Sequence, residues 1–250
     1  MLELNHQPQP AAHRHLVTAF ARSDKEVAEA QRLRYKVFAE EMGATLPSAG
    51  EETDRDIFDR YCEHLLVRDS AENRVIGTYR ILSPSQAEKI GGYYSETEFD
   101  LTRLKHLGDR MVEVGRSCVH RDYRDGATIT QLWGGLAQYM LQHNHEYLIG
   151  CASISMADGG HVAASLYHKL HRLYAAPTEY SVFPRCPLPL HALNQNLDAP
   201  VPPLLKGYLR LGAYICGEPA WDPEFNTADL FILLPMSRLS SRYAKHFLKA

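Results

Sequence analysis

Glu113 and Arg116 stand three residues apart inside an otherwise apolar run, Met111-Val-Glu-Val-Gly-Arg-Ser-Cys-Val119. Burying a carboxylate without a partner is strongly unfavourable, so Glu113 is ion-paired, hydrogen-bonded or functional. Strict alternation along a strand sends Glu113 and Arg116 to opposite faces, but Gly115 between them can host a bulge that re-aims one. The run then enters His120-Arg-Asp-Tyr-Arg-Asp-Gly126, a basic, glycine-containing loop ahead of a helical pattern. At such a junction the free N–H groups and the helix dipole favour an anion such as phosphate. The functional reading is a titratable carboxylate beside an anion-binding helix start. A structural Glu–Arg pair next to an ordinary strand-to-helix turn is the plainer alternative.

Other chemistries lack their usual signatures. No G-x-S-x-G elbow, G-x-x-x-x-G-K-[ST] loop or G-x-G-x-x-G fingerprint occurs. The five cysteines are widely spaced with no C-x-x-C, which reads as small buried side chains, Cys118 among them. Thirteen histidines fall without a metal-ligand spacing, so no metal is expected.

The elements that must hold these residues read as a mixed α/β sheet. Residues 1–22, rich in Pro, Gln and His early on, are expected to form a flexible arm. Ser23 or Asp24 then caps a helix carrying Val27, Ala30, Leu33 and Val37, ended by Met42-Gly43. Residues 44–60 are polar and loop-like. Cys62–Val67 and Arg74–Leu82 form a hairpin, and Met111–Val119 is a third strand. An amphipathic helix with Ile129, Leu132, Trp133, Leu136 and Met140 follows, then a strand over Tyr147–Ile154 and a helix with Val162, Leu166 and Leu170. Residues 23–176 therefore form an α/β core. Seven of the fourteen prolines lie between Pro177 and Pro203, an ordered loop or linker. Residues 177–250 complete the same domain: Leu204–Leu211 as a short helix, Ala213–Cys216 and Leu230–Leu234 as strands, and a last helix with Leu239, Tyr243 and Phe247.

The chain has 250 residues, 45% apolar and 23% charged, which is globular composition. Lys and Arg total 27 against 30 Asp and Glu, a net charge of −3 that argues against a nucleic-acid partner. No apolar run approaches the ~20 residues of a membrane-spanning helix. No secretory signal is visible, so a cytoplasmic location is expected.

The order of strand, Arg-x-Gly loop, amphipathic helix, strand and helix resembles the core of the GNAT acyltransferase superfamily. Arg34-x3-Phe38, Asp56, Asp59, Arg80 and Glu113-x2-Arg116 follow in the order seen in acyl-homoserine-lactone synthases, which use thioesters of acyl carrier protein (ACP). A closer resemblance is to the bacterial ornithine Nα-acyltransferases. It rests on Arg34-Tyr-Lys-Val-Phe38, Val112–His120, Tyr123–Ile129, Leu205-Lys-Gly-Tyr-Leu-Arg-Leu-Gly-Ala213, Gly217–Asp222 and Phe225–Asp229. It covers roughly residues 25–245 and implies a GNAT-like mixed central β-sheet flanked by helices, with a C-terminal extension.

That resemblance implies transfer of a long-chain 3-hydroxyacyl group from acyl-ACP to the α-amine of L-ornithine, giving lyso-ornithine lipid. No cofactor is implied beyond the thioester co-substrate. Glu113 is the expected base, with Arg116 orienting it. Arg34 or Arg80 is expected to clamp the acceptor carboxylate, Asp56 or Asp59 to face its side-chain ammonium, and Phe38 to be core or a wall of the acyl pocket. Arg121, Arg124, Gly126 and Ala127 are expected around the donor phosphopantetheine. Arg124-Asp-Gly126-Ala-Thr lacks the full glycine pattern of acetyl-CoA enzymes, and that poorer cradle favours the single phosphodiester of ACP over a pyrophosphate. Arg121, Arg124, Lys169 and Arg172 offer a basic face for acidic ACP. The amphiphilic product makes peripheral contact with the inner membrane sensible. An acyl-homoserine-lactone synthase, an acyltransferase acting on another amino acid, and a non-catalytic acyl-ACP-binding module are the alternatives.

Overall fold

The computed structural model describes residues 15–239. Among these, ten strands and five α-helices follow in the order β1 (Leu16–Phe20), α1 (Asp24–Tyr35), β2 (Glu63–Asp69), β3 (Arg74–Leu82), α2 (Pro84–Ile90), β4 (Phe99–Asp100), β5 (Met111–Val119), α3 (Ala127–Gln142), β6 (Tyr147–Ser155), α4 (His161–Tyr174), β7 (Phe183–Pro184), α5 (Pro203–Leu211), β8 (Tyr214–Ile215), β9 (Ala220–Asp222) and β10 (Thr227–Pro235). The main sheet runs β1-β2-β3-β5-β6-β10-β8, with β9 also paired to β10. All of its pairs are antiparallel except β5–β6.

That parallel pair is short. Its ladder runs from Met111↔Tyr147 to Glu113↔Ile149, beyond which the strands part. Parity along the strands then sorts the side chains. Arg80, Leu82, Glu113, Cys151 and Asp229 share one face, reached through the pairs Leu82↔Glu113, Glu113↔Ile149 and Asp229↔Ser153. Tyr79, Ile81, Val112, Val114, Leu148 and Ala152 lie on the other, in one core with Leu132, Leu166 and Leu205 of α3, α4 and α5. α1 packs Ala30 and Leu33 against Leu66, Val75 and Cys118 on the Glu113 face.

α1 begins as its sequence dictates: the Ser23 hydroxyl accepts from the Glu26 N–H at 3.4 Å, and Asp24 and Glu26 sit in the first turn. It passes without a break into a π-helical stretch, Lys36–Glu41, where Met42 N–H reaches the Val37 carbonyl. Gly43, at φ 78°, ends it. The hairpin β2–β3 and the strands β5 and β6 fall where the sequence patterns put them.

Three segments differ from expectation. Residues 16–20, expected within the flexible arm, pair with β2 from Leu16↔Asp69 to Phe20↔Leu65. The alternation of Leu16, Thr18 and Phe20 buries one side of this edge strand, too few positions to read against the polar stretch before them. Residues 83–110 make α2, two 3-10 stretches and β4, none of them anticipated from the sequence. The Pro-rich stretch is an ordered loop, tied down where β7 pairs with β4 and where Arg185 N–H reaches the Glu98 carbonyl at 2.7 Å. Of the expected last helix, Met236–Arg238 is a 3-10 turn, and Tyr243 and Phe247 lie outside the described residues, as do positions 1–14.

Gly150 sits where β5 and β6 begin to part, and a Cβ built there would lie 2.3 Å from the Val114 carbonyl oxygen. Backbone cannot yield cheaply in a buried sheet. Gly150→Ala is therefore expected to destabilise the fold by about 1–3 kcal/mol, read as a lower urea midpoint at unchanged slope.

Candidate active site

β5 contains the bulge that Gly115 suggested, but the residue with the unusual backbone is Arg116. Thr78 pairs with Cys118 while Arg80 pairs with Gly115, so β5 has one residue more than β3 over this stretch. Arg116 takes φ 49°, a left-handed conformation that a residue with a Cβ adopts at a cost of about 1–2 kcal/mol. The extra residue turns Arg116 onto the face of Glu113 and returns Cys118 to the α1 side. The guanidinium is held between the rings of Tyr94 and Phe225, 4.8 and 4.6 Å from their centroids.

Around it lies a buried network of three arginines and three aspartates. Arg34 Nε pairs with Asp54 at 2.8 Å and its Nη2 with Asp59 at 2.8 Å. Arg80 Nη1 pairs with Asp56 at 2.7 Å, and Arg116 meets Asp54 at 3.2 Å and Asp56 at 3.3 Å. Burial alone would raise the Asp59 carboxyl, but Arg34 and Arg80 outweigh it and hold the group below its ordinary value. The three carboxylates come from one loop, residues 44–60, which α1, β3 and β5 clasp through their arginines.

Glu113 is nearly sealed, with 4% of its surface exposed. Its Oε1 accepts from Ser95 N–H at 2.8 Å and from the Ser95 hydroxyl, while Oε2 accepts from Tyr94 N–H at 2.6 Å. Burial pushes its pKa up, against the pull of those donors and of Arg80. Oε1 is filled, whereas Oε2 keeps one acceptor position.

A cavity of about 700 Å³ opens where β5 and β6 part. It is lined from both faces of the sheet, so it runs through the gap. Arg80, Tyr94, Ser95, Glu113 and Arg116 line its polar side; Val114, Ile129, Trp133, Leu148, Leu204 and Tyr208 line the apolar side. α5 closes the apolar side by fitting close to α3. A Cβ at Gly207 would lie 2.1 Å from the Trp133 ring, and Tyr208 and Tyr79 share a hydrogen bond of 2.7 Å.

Residues 33–134 match the acetyltransferase (GNAT) domain family. The L-ornithine N(alpha)-acyltransferase of Brucella abortus (strain 2308) is 39% identical over 250 residues, covering 93% of this chain and 88% of that protein. The chain belongs to the L-ornithine Nα-acyltransferase family. It is an N-acyltransferase. Among solved structures, FeeM, an N-acyl amino acid synthase from uncultured soil microbes, aligns with a TM-score of 0.55 at 12% identity, covering 91% of this chain and 94% of that one. The AHL synthase LasI aligns with a TM-score of 0.52 at 13% identity, over 95% and 96%. At these identities the likeness is one of fold.

Within this family member the expected site residues separate into groups. Glu113, Arg116, Arg80 and Phe38 line the cavity, Phe38 edge-on to Phe225 at 5.7 Å. Arg34 is fully buried behind the wall, its fork occupied by Asp54 and Asp59. Asp59 is buried with it. Asp56 accepts from Phe58 N–H, Arg80 and Arg116, so neither aspartate presents an unmatched carboxylate to an ammonium. Arg124 and Gly126 line the mouth before α3, with Arg124 held by Glu41 at 2.8 Å and Gly126 at φ 97°. The Ala127 N–H is taken by Asp125 Oδ1 at 3.0 Å, which removes one donor from the helix start. Arg121 is exposed on the preceding 3-10 turn, and Lys169 pairs with Asp198 at 3.3 Å. Cys118 is packing, its thiol pushed up to about 12 by burial. The sequence reading missed Asp54, Tyr94, Ser95, Phe225 and the acids Glu98, Asp222 and Asp229. The acid run of the 44–60 loop carried a signal for the first, and the resemblance blocks Gly217–Asp222 and Phe225–Asp229 contained Asp222, Phe225 and Asp229 without giving them a role.

If Arg34 holds structure, Arg34→Met takes the nearest cation from two buried carboxylates, leaving Asp54 to Arg116 at 3.2 Å and Asp59 to Arg80 at 3.7 Å. The expected loss is about 3–5 kcal/mol of stability, measured by denaturant unfolding. A substrate clamp would instead give a normally stable protein with a raised KM for the acceptor.

Proposed function

We propose that this protein transfers a long-chain, 3-hydroxylated acyl group from acyl-ACP to the α-amine of L-ornithine, forming lyso-ornithine lipid. The observation that carries the reading is the cavity through the β5–β6 gap, with a buried base on one side and an apolar run on the other. Its volume falls in the range of small-molecule sites. The name of the Brucella abortus relative supports ornithine as acceptor.

Amide formation from a thioester needs a neutral amine, an oriented carbonyl and a stabilised oxyanion. Ornithine's α-amine is largely protonated at neutral pH, so a proton must leave. Glu113 Oε2 takes it, directly or through one water. The lone electron pair then attacks the thioester carbon, a C–N bond forms, the C–S bond breaks, and the thiolate of phosphopantetheine leaves with a proton. Arg80 and Arg116 face the cavity with donors beyond those their aspartates use, and they grip the acceptor carboxylate in place of Arg34. Backbone N–H groups on the parted strands supply the oxyanion donors. The α3 start, with Arg124, Gly126, Ala127 and nearby Arg121, takes the single phosphodiester of the donor, and the basic residues there meet acidic ACP.

Acyl-ACP as donor implies a cytoplasmic reaction. No helix among the described residues is long and apolar enough to cross a membrane. Delivery of an amphiphilic product implies peripheral contact with the inner membrane.

The test is thiol release from purified 3-hydroxyacyl-ACP across single amino acids, with mass detection of the product. Ornithine-dependent release of an Nα-acyl product is expected. Release that requires S-adenosylmethionine would overturn the reading in favour of a lactone synthase, and release with another amino acid would change the acceptor. Glu113→Gln is expected to lower turnover sharply while donor binding persists, whereas a non-catalytic binding module would keep its function.

The raised pKa of Glu113 has a sign that can be checked. A base works only when deprotonated, so activity falls as pH drops through its pKa. The acid limb of kcat/KM is expected above the ordinary glutamate value of about 4.3, and to be absent from the residual activity of Glu113→Gln.

A further inference from the structure

The cavity that the arginines line is also lined by two acids, Asp222 and Asp229, with Glu98 next to Asp229. Asp229 of β10 is 5% exposed, lines the cavity, and has no hydrogen-bond partner for its Oδ1. The Glu98 carboxyl has no hydrogen-bond partner except the Asp229 carboxyl beside it, with which it can share a proton. Oxygen atoms of both, with Cys151 Sγ, lie within 4.8 Å of one another. Asp222 stands beside them with its Oδ1 occupied by the N–H groups of Glu224 and Phe225, at 2.8 and 3.2 Å. Among the described residues no Lys, Arg or His forms an ion pair with these three acids.

Burial, and then repulsion by Asp229 and Asp222, pushes the Glu98 carboxyl up to about 10, and burial raises Asp229 as well, so the empty pair holds a proton. A cation with several N–H donors that enters through the cavity can take the place of that proton. The geometry relative to the base is suitable. Ser95, whose hydroxyl donates to Glu113, lies 3.4 Å from Cys151 Sγ, and Cys151 touches the acid pair. An ornithine side chain separates its two nitrogens by five bonds, about 6 Å when extended. An α-amine held at Glu113 and an ammonium held at Asp229 would lie in the one cavity that both residues line.

We propose that Asp229 and Glu98 form the subsite for the side-chain ammonium of the acceptor amino acid, and that they make this enzyme select a diamino acid. The proposal rests on the acyl-transfer reading above and adds the residues that choose the acceptor. Asp56 and Asp59 are excluded from that role because arginines already neutralise them. Asp229 Oδ1 and the Glu98 carboxyl accept from the ammonium, and Asp222 adds negative potential from the side.

The experiment compares kcat/KM for ornithine and for norvaline, which has the same carbon chain and lacks only the terminal amine. One 3-hydroxyacyl-ACP donor is used throughout. The wild type is expected to prefer ornithine strongly, because a buried polar site left unpaired rejects the analogue. Asp229→Asn is expected to lower kcat/KM for ornithine about 100-fold, chiefly through KM, and to leave norvaline and the donor KM unchanged. Glu98→Gln, measured separately, is expected to act in the same direction. Both variants keep the shape of the wall and remove repulsion, so a thermal midpoint at or above the wild-type value confirms folding. The proposal is overturned if both variants keep the wild-type ornithine/norvaline ratio while ornithine is still acylated, an outcome that leaves the reaction itself standing. It is also overturned if chelation abolishes activity and Zn²⁺ restores it, which would make the acids metal ligands. Wild-type protein that acylates neither amino acid sinks the reading of ornithine as acceptor and this proposal together.

Discussion

Parity along a β-strand assigns every side chain to a face, and the site in this protein depends on the one place where β5 breaks parity. Without the extra residue at Arg116, Glu113 and the guanidinium would lie on opposite sides of the sheet. Cys118 would also turn away from α1, and the core between α1 and the sheet would lose a buried contact. Packing on one side of the bulge and chemistry on the other thus constrain the same backbone. The left-handed φ of Arg116 persists because two aromatic rings and two aspartates hold its side chain where that backbone sends it. The same stretch is where β5 loses its parallel neighbour, so the strain, Glu113 and the cavity coincide.

Buried charge is arranged in two opposite ways around that cavity. On the wall formed by α1, β3 and the 44–60 loop, three guanidiniums face three carboxylates, and charge is matched within the chain. Removing any one member leaves its partners buried and uncompensated, which makes this wall rigid. Where β10 meets the segment after α2, carboxyls adjoin each other with no ion-paired cation among the described residues, and burial raises both Glu98 and Asp229. The first arrangement fits structure and substrate orientation; the second fits recognition. Sequence order alone treats Asp56, Asp59, Glu98 and Asp229 alike, and only burial and partners tell them apart.

The strands and helices of the core were legible because their periodicity is strong. The hairpin, β5, α3, β6 and α4 follow directly from alternating or helical apolar positions. The Glu113–Arg116 pair was legible because acid and base inside an apolar run are anomalous, and Gly115 marked the bulge one residue from its true centre. The block Lys206–Ala213 is explained by packing: Gly207 admits the Trp133 ring, Tyr208 reaches Tyr79, and Gly212 at φ 103° ends α5. Residues 83–110 were not legible, since short 3-10 turns have too few repeats to leave a period. Tyr94, Ser95 and Glu98 lie in that stretch. Arg34, read as a candidate clamp, lies buried in ion pairs with Asp54 and Asp59, which order along the chain does not reveal.

Glu113 joins these features through the turn it caps. Its carboxylate takes the N–H groups of Tyr94 and Ser95, donors that a 3-10 turn start leaves unsatisfied, and so fixes the turn Tyr94–Thr97 against β5. Tyr94 from that turn covers Arg116, Ser95 reaches Cys151, and the next residue beyond the turn is Glu98. The base therefore builds part of the wall it faces. A site organised this way resists piecemeal change, because the carboxylate proposed to handle the α-amine also orders the segment that carries Glu98. The proposed chemistry rests on β3 and β5, where hydrogen-bonded strands fix positions. The proposed choice of acceptor rests on a turn and on β10, where one side chain can change without moving Glu113.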